Sequence, residues 1–278
     1  MMIPNFSLYN DTQIPALGFG TYKLTQEDGI QSIKSALDCG YRLIDTAYNY
    51  QNEREVGQAI KQSGINRQEI QIISKLPGRF QKYDDAKQAI KTSLENLDVD
   101  YIDYYLIHWP NPKQGLYVEA FKALLDAKKE GLIKEVGVCN FLPEHLTKLK
   151  EETGVFPAIN QIELHPYFSQ PELREFHEEN NIVTQAWSPL HRAALVSDEP
   201  ILQELAKKYE KSIYQVILRW IFQLNVVAIP KSSSKNRQEQ NQNIFDFNLS
   251  PQEVTRICEL DRPDGRQKNQ NPAVYEEF

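Results

Sequence analysis

The chain has 278 residues, 41% of them hydrophobic, and a formal net charge of −7. That is enough apolar material for one substantial core, and a surface that on average repels nucleic acid and anionic membranes. Three scattered cysteines, Cys39, Cys139 and Cys258, form neither a disulfide framework nor a metal-binding spacing, as expected of a reducing compartment.

The first residues, MMIPNFSLYN, carry no basic start and no long apolar run. No stretch of the chain approaches the ~18 consecutive apolar residues of a membrane span. The expectation is a soluble, cytoplasmic protein. The segment NFSLYNDTQIPALG, with turn formers at Asn10 and Asp11, reads as a hairpin that caps a barrel floor. After it, short β-branched runs alternate with longer amphipathic stretches. The runs end near Thr21, Asp45, Lys75, His108, Cys139, Glu163, Trp187 and Ile229, which predicts eight strands. Thr25 with Asp28 reads as a capping box, and Gly40, Gly64 and Gly131 each stop a helix before the next strand. Between residues 84 and 97, Ala86, Ala89, Ile90, Leu94 and Leu97 fall on one helical stripe. An extra helix over 212–223 lengthens the last unit, and beyond Asp261 the polar tail RPDGRQKNQNPAVYEEF predicts a loop lying over the surface. Eight strand–helix repeats without a change in composition favour closure over an open sheet. The fold expected is an α/β (β/α)8 TIM barrel with an N-terminal β-hairpin cap and extra C-terminal helices, one domain over residues 1–278.

Such a barrel gathers chemistry at the carboxyl ends of its strands. Asp45, Lys75 and His108 each close a strand, and Tyr50 follows Asp45 by five residues. A phenol, with a reference pKa near ~10, is a poor acid at neutral pH unless an ammonium stabilises its anion. Lys75 is placed to do that for Tyr50, with Asp45 holding the lysine charged and His108 donating to a substrate oxygen that gains charge. Such a set protonates an alkoxide, the species made when hydride reaches a carbonyl carbon, and the hydride must come from a redox cofactor. Taken singly, Asp45 and Lys75 also suit a structural ion pair, Tyr50 a surface ring and His108 a satisfied core histidine; the combination favours the site.

A second signal is independent of the first. VVAIPKSSSKNRQEQN runs from a buried strand through a serine-rich turn into a helix, with Lys231, Lys235 and Arg237 at its start. The helix macrodipole opposes cations there and welcomes phosphate, so an anion is implied, with Arg237 bidentate and Lys231 as a point charge. A solvated basic helix start is the plainer reading. Other motifs fail: GFGTYK lacks the third glycine of the Rossmann fingerprint, Tyr83 and Lys87 lack an upstream phosphate loop, and the histidines make no HxH or HExxH pattern, so no metal is expected.

Taken in order, LGFGTY, DTAYNYQNEREVG, ISKL, YYLIHWP, GVCNF, INQIELHPY, QAWSPL and IPKSSSKNRQEQN resemble the aldo-keto reductases over nearly the whole chain, and most closely the bacterial diketogluconate and glyoxal reductases. The resemblance implies Tyr50 as general acid, Lys75 and Asp45 as its tuning pair, and His108 orienting the carbonyl. It implies NADPH or NADP bound extended across the mouth, touching Thr21, Tyr22 and Asp45. Asn140 and Gln161 hold the carboxamide beside Cys139, and Trp187 stacks on the nicotinamide. Ser188 and Leu190 meet the pyrophosphate, Lys231, Ser232 and Arg237 the 2′-phosphate, and Gln240 and Asn241 the adenine. Tyr22, Tyr48, His108 and Trp109 line a pocket for a small carbonyl substrate. Three positions depart from the family pattern: Cys139 for serine, Tyr22 for tryptophan and His191 for glycine. A monomer is expected. Two rivals remain open: a Schiff-base aldolase using Lys75, and a nicotinamide-binding regulatory subunit on the same fold.

Overall fold

A computed structural model describes residues 3–190 and 198–278; His191 lies outside them. The chain opens with an antiparallel hairpin, β1 (Asn5–Ser7) and β2 (Gln13–Pro15). Among the described residues eight parallel strands follow: β3 (Phe19–Gly20), β4 (Leu43–Asp45), β5 (Gln71–Leu76), β6 (Ile102–Ile107), β7 (Ile133–Cys139), β8 (Ile159–Glu163), β9 (Val183–Trp187) and β10 (Val227–Ala228). They pair in chain order. A parallel bridge between Leu17 and Ala228, flanked by Gly18 N–H donating to the Ala228 carbonyl at 2.8 Å, joins the last strand to the first and closes the barrel. Each strand ends within one residue of the position read from the sequence.

The helices are α1 (Gln26–Cys39), α2 (Glu53–Ser63), α3 (Tyr83–Leu97), α4 (Tyr117–Lys129), α5 (Pro143–Thr153), α6 (Pro171–Glu179), α7 (Pro200–Tyr209), α8 (Ile213–Gln223), α9 (Lys235–Gln242) and α10 (Pro251–Cys258). Ser212 caps α8 with a reciprocal box through Gln215, as its position at the start of the expected helix suggests. However, α8 is no addition, because its buried face packs on β10. The extra helices are α7, stacked on the outside of α8, and α10 beyond them. The expected capping box at Thr25 does not form either. Thr25 makes no side-chain cap; instead Glu55 of α2 accepts the Gln26 N–H at 3.0 Å, a tertiary contact replacing a local one. Gly40 and Gly64 do end their helices, with φ of 106° and 70° in the left-handed region that favours glycine.

Alternation along the strands sorts the core into two parts. Ile44, Ile72, Ile107, Val138 and Ala186 face the helices, while Leu43, Ile73, Leu106, Ile159 and Val227 face inward and meet Leu8 and Ile14 of the hairpin. The hairpin therefore plugs the amino-terminal end of the barrel. Two positions further along, the same inward alternation delivers Asp45 after Leu43 and Lys75 after Ile73 at the opposite mouth.

Candidate active site

The mouth holds a cavity of about 550 Å³ between the strand ends, the α9 start and the C-terminal tail. At its base Lys75, fully buried, uses all three ammonium donors: 2.8 Å to each Asp45 oxygen and 2.7 Å to the Thr46 carbonyl. Gln161 Nε2 also donates to Asp45 Oδ2 at 2.7 Å. Burial works against charge on Lys75, yet Asp45 and Tyr50 outweigh it and its pKa is raised. The lysine is thus held as an ammonium with no free lone pair, whereas Schiff-base formation needs a neutral amine.

The ammonium lies 4.9 Å from the centre of the Tyr50 ring. Tyr50 is half-buried, its ring 5.0 Å from Tyr22 and 6.0 Å from His108. Its acidity differs from the expectation. Burial pushes the phenol up to about 12, and Lys75 pulls the other way without overcoming it. A phenolate loses more solvation here than one ammonium returns while Asp45 neutralises that ammonium. Tyr50 therefore keeps its proton throughout the neutral range.

Asp45, Tyr50, His108, Trp109, Tyr22, Asn140, Gln161, Trp187, Ser188, Leu190, Lys231 and Arg237 all line the cavity. Asn140, at φ 61°, donates to the His108 carbonyl at 3.1 Å and accepts from Trp187 Nε1 at 2.8 Å, tying together the ends of β6, β7 and β9. Other expected site residues sit behind the wall. Thr21 is buried with its hydroxyl donating to the Asp45 carbonyl, and Cys139 is buried beside Lys75, its thiol pushed up by desolvation. Tyr48 packs on Phe80 under Arg79. Ser232 and Asn241 are buried around α9, whereas Gln240 is exposed.

A phosphate-bearing cofactor fits this mouth. Ser234 caps α9 without a side-chain hydrogen bond, and Lys231, Lys235 and Arg237 are exposed around that helix start, an arrangement suited to a phosphate. Glycine at position 20 suits the close packing of β3 on the segment after β10, since a Cβ there would lie 3.3 Å from Ile229 Cγ2. The sequence reading missed the tail: Gln267, Lys268, Gln270, Tyr275 and Glu277 all line the cavity, with Tyr275 4.4 Å from Trp109. Glu277 Oε1 comes 2.7 Å from His108 Nδ1. No local pattern in NPAVYEEF announces this docking. Tyr83 and Lys87, set aside above, face Asp126 and Glu130 on the outer helices. Among the described residues no cluster could hold a metal ion, and no helix is long and apolar enough to cross a membrane.

The model of the aldo/keto reductase family matches residues 16–262. The chain is 44% identical over 276 residues to 2,5-diketo-D-gluconic acid reductase B of Corynebacterium sp., covering 99% of each. It is 42% identical over 269 residues to methylglyoxal reductase DkgA of Escherichia coli, covering 96% of each. A variant of Gox0644 solved in complex with NADPH superposes with a TM-score of 0.94 at 37% identity, over 99% of this chain and all of that one.

Proposed function

The chain belongs to the aldo/keto reductase family, and from that premise we propose that it is an NADPH-dependent reductase of small aldehydes, ketones and dicarbonyls, with residues 1–278 acting as one unit. The observation that carries this reading is the buried clamp of Lys75 by Asp45 and Thr46 directly beneath the Tyr50 ring, facing the cavity that His108 shares.

Lys231, Ser232 and Arg237 with the α9 start hold the 2′-phosphate, and Asn140 and Gln161 the carboxamide beside Trp187. Once bound, the reduced nicotinamide supplies hydride to the carbonyl carbon. The substrate oxygen sits between Tyr50 and His108. As it gains negative charge, the Tyr50 hydroxyl transfers its proton, because an alkoxide is a stronger base than a phenolate even in this buried place. The Lys75 ammonium then faces a phenolate, so its attraction grows along the reaction and stabilises the transition state more than the ground state. The high phenol pKa serves this direction by keeping the donor protonated.

Tyr22, Trp109 and Tyr275 give the mouth an aromatic, mostly apolar rim, which suits compact carbonyl compounds. The names of the diketogluconate and methylglyoxal reductases point to dicarbonyls within that class. Three free cysteines fit a reducing, cytoplasmic address, and the chain is read as a monomer. The test is Tyr50→Phe assayed by loss of reduced-nicotinamide absorbance over a panel of aldehydes and dicarbonyls. Reduction should fall by at least ~10²-fold with NADPH affinity nearly unchanged. Undiminished turnover would remove Tyr50 as the acid, and a wild-type chain inert toward every carbonyl would favour a regulatory, cofactor-sensing role.

A further inference from the structure

We propose that Glu277, the penultimate residue, is a positioning residue for carbonyl reduction: its carboxylate orients the His108 ring and supplies the counter-charge for the form of that ring which donates to substrate. The inference deepens the reductase reading and rests on it.

The carboxylate is built into the mouth. Oε1 accepts from Asn49 Nδ2 at 2.8 Å and lies 2.7 Å from His108 Nδ1, while Oε2 accepts the Gly78 N–H at 3.0 Å. The Glu277 backbone is fastened as well. Its N–H donates to Asn111 Oδ1 at 3.0 Å and its carbonyl accepts from Asn111 Nδ2 at 2.8 Å. These partners come from the loops after β4, β5 and β6, so one residue bridges three of the strand ends that carry the chemistry. Gly78 makes the approach possible, since a Cβ there would lie 2.4 Å from the Glu277 carbonyl oxygen.

The charge state follows from the same contacts. Burial opposes ionisation, but His108, the Gly78 N–H and Asn49 more than offset it, and the carboxyl stays below its ordinary range. Facing an ionised carboxylate, Nδ1 is the ring nitrogen that carries a proton. The other nitrogen, Nε2, of a neutral ring then has only a lone pair. It donates to a substrate oxygen only in the doubly protonated ring, and Glu277 balances that cation. At 2.7 Å the approach is a close charge contact. A tail that merely latched the barrel shut would need no carboxylate beside His108 Nδ1.

The experiment is a double-mutant cycle between Glu277→Gln and His108→Gln in the full chain. With an unactivated ketone, Glu277→Gln should lower kcat by about 10- to 100-fold, while KM and NADPH affinity change little and kcat is read well below the variant's thermal midpoint. In the His108→Gln background the same substitution should cost almost nothing. Side-chain nitrogen NMR of His108, assigned by its loss in His108→Gln, should show Nδ1 protonated in the wild type and the signal displaced in Glu277→Gln. Full activity of Glu277→Gln, equal losses in both backgrounds, or an unmoved His108 signal overturns the proposal. A wild-type enzyme that reduces no carbonyl defeats instead the reading on which it rests, and the nitrogen spectra still report on the contact.

Discussion

Replacing Lys75 by Met removes a charge that the fold has enclosed completely. Three hydrogen bonds vanish with it, two to Asp45 and one to the Thr46 carbonyl. The Asp45 carboxylate then retains the Gln161 amide, 2.7 Å away, as its remaining side-chain donor. Leaving one partner of a buried ion pair uncompensated costs about 3–5 kcal/mol, or roughly 6–20 °C in midpoint for a chain of this size. The catalytic cost is separable. A unit charge 4.9 Å from the phenol ring, at the effective dielectric of ~20 appropriate to such sites, interacts with a full phenolate by about 3 kcal/mol. That sets a ceiling of a few hundredfold on the rate lost from proton transfer, and a transition state carrying part of the charge loses proportionally less. Thermal unfolding followed by circular dichroism, with kcat measured well below the variant's midpoint, reads the two terms independently. A folded Lys75→Met enzyme within about threefold of the wild-type kcat would refute the claim that the ammonium stabilises the departing proton's anion.

Arg237→Ala should raise the NADPH dissociation constant by about 10- to 150-fold, the worth of a charge-assisted contact of ~1.5–3 kcal/mol, and leave NADH binding nearly unchanged in fluorescence titrations. Equal weakening of both cofactors would make Arg237 a structural residue. A third expectation concerns acid stability. His177 is buried with Nδ1 2.9 Å from the Thr184 hydroxyl and Nε2 2.9 Å from Asn160 Nδ2. Burial, aided by Arg174, lowers its pKa from 6.5 to about 3. The unfolded chain binds a proton in that window and the native ring does not, so stability is full above pH 6.5 and is lost as pH falls toward 3. The loss reaches about 5 kcal/mol. Urea unfolding across this range should show a flatter acid limb in His177→Gln; parallel limbs would mean other groups drive it.

The barrel was legible because its signals are local and periodic. Alternation along YRLID and IQIISK sets Leu43 and Asp45, then Ile73 and Lys75, on the same inward face. A parallel closed sheet must carry the last inward residue of each strand to one mouth. The basic helix start at Lys235 was legible for a similar reason, being a short-range coincidence of turn, charge and helix. What escaped depends on contacts between distant segments. Glu55 takes the Gln26 N–H from 29 residues away in place of the Thr25 box, and Glu277 reaches Gly78 across 199. Gly57 looks like a weak point in α2, yet a Cβ there would stand 2.2 Å from the Leu97 carbonyl oxygen, so the helix crossing dictates it. The acidity of Tyr50 belongs to the same group. Spacing along the chain indicates that an ammonium lies near the phenol, but whether that attraction exceeds the lost hydration depends on how much protein surrounds both, and only three-dimensional packing decides how much water is excluded.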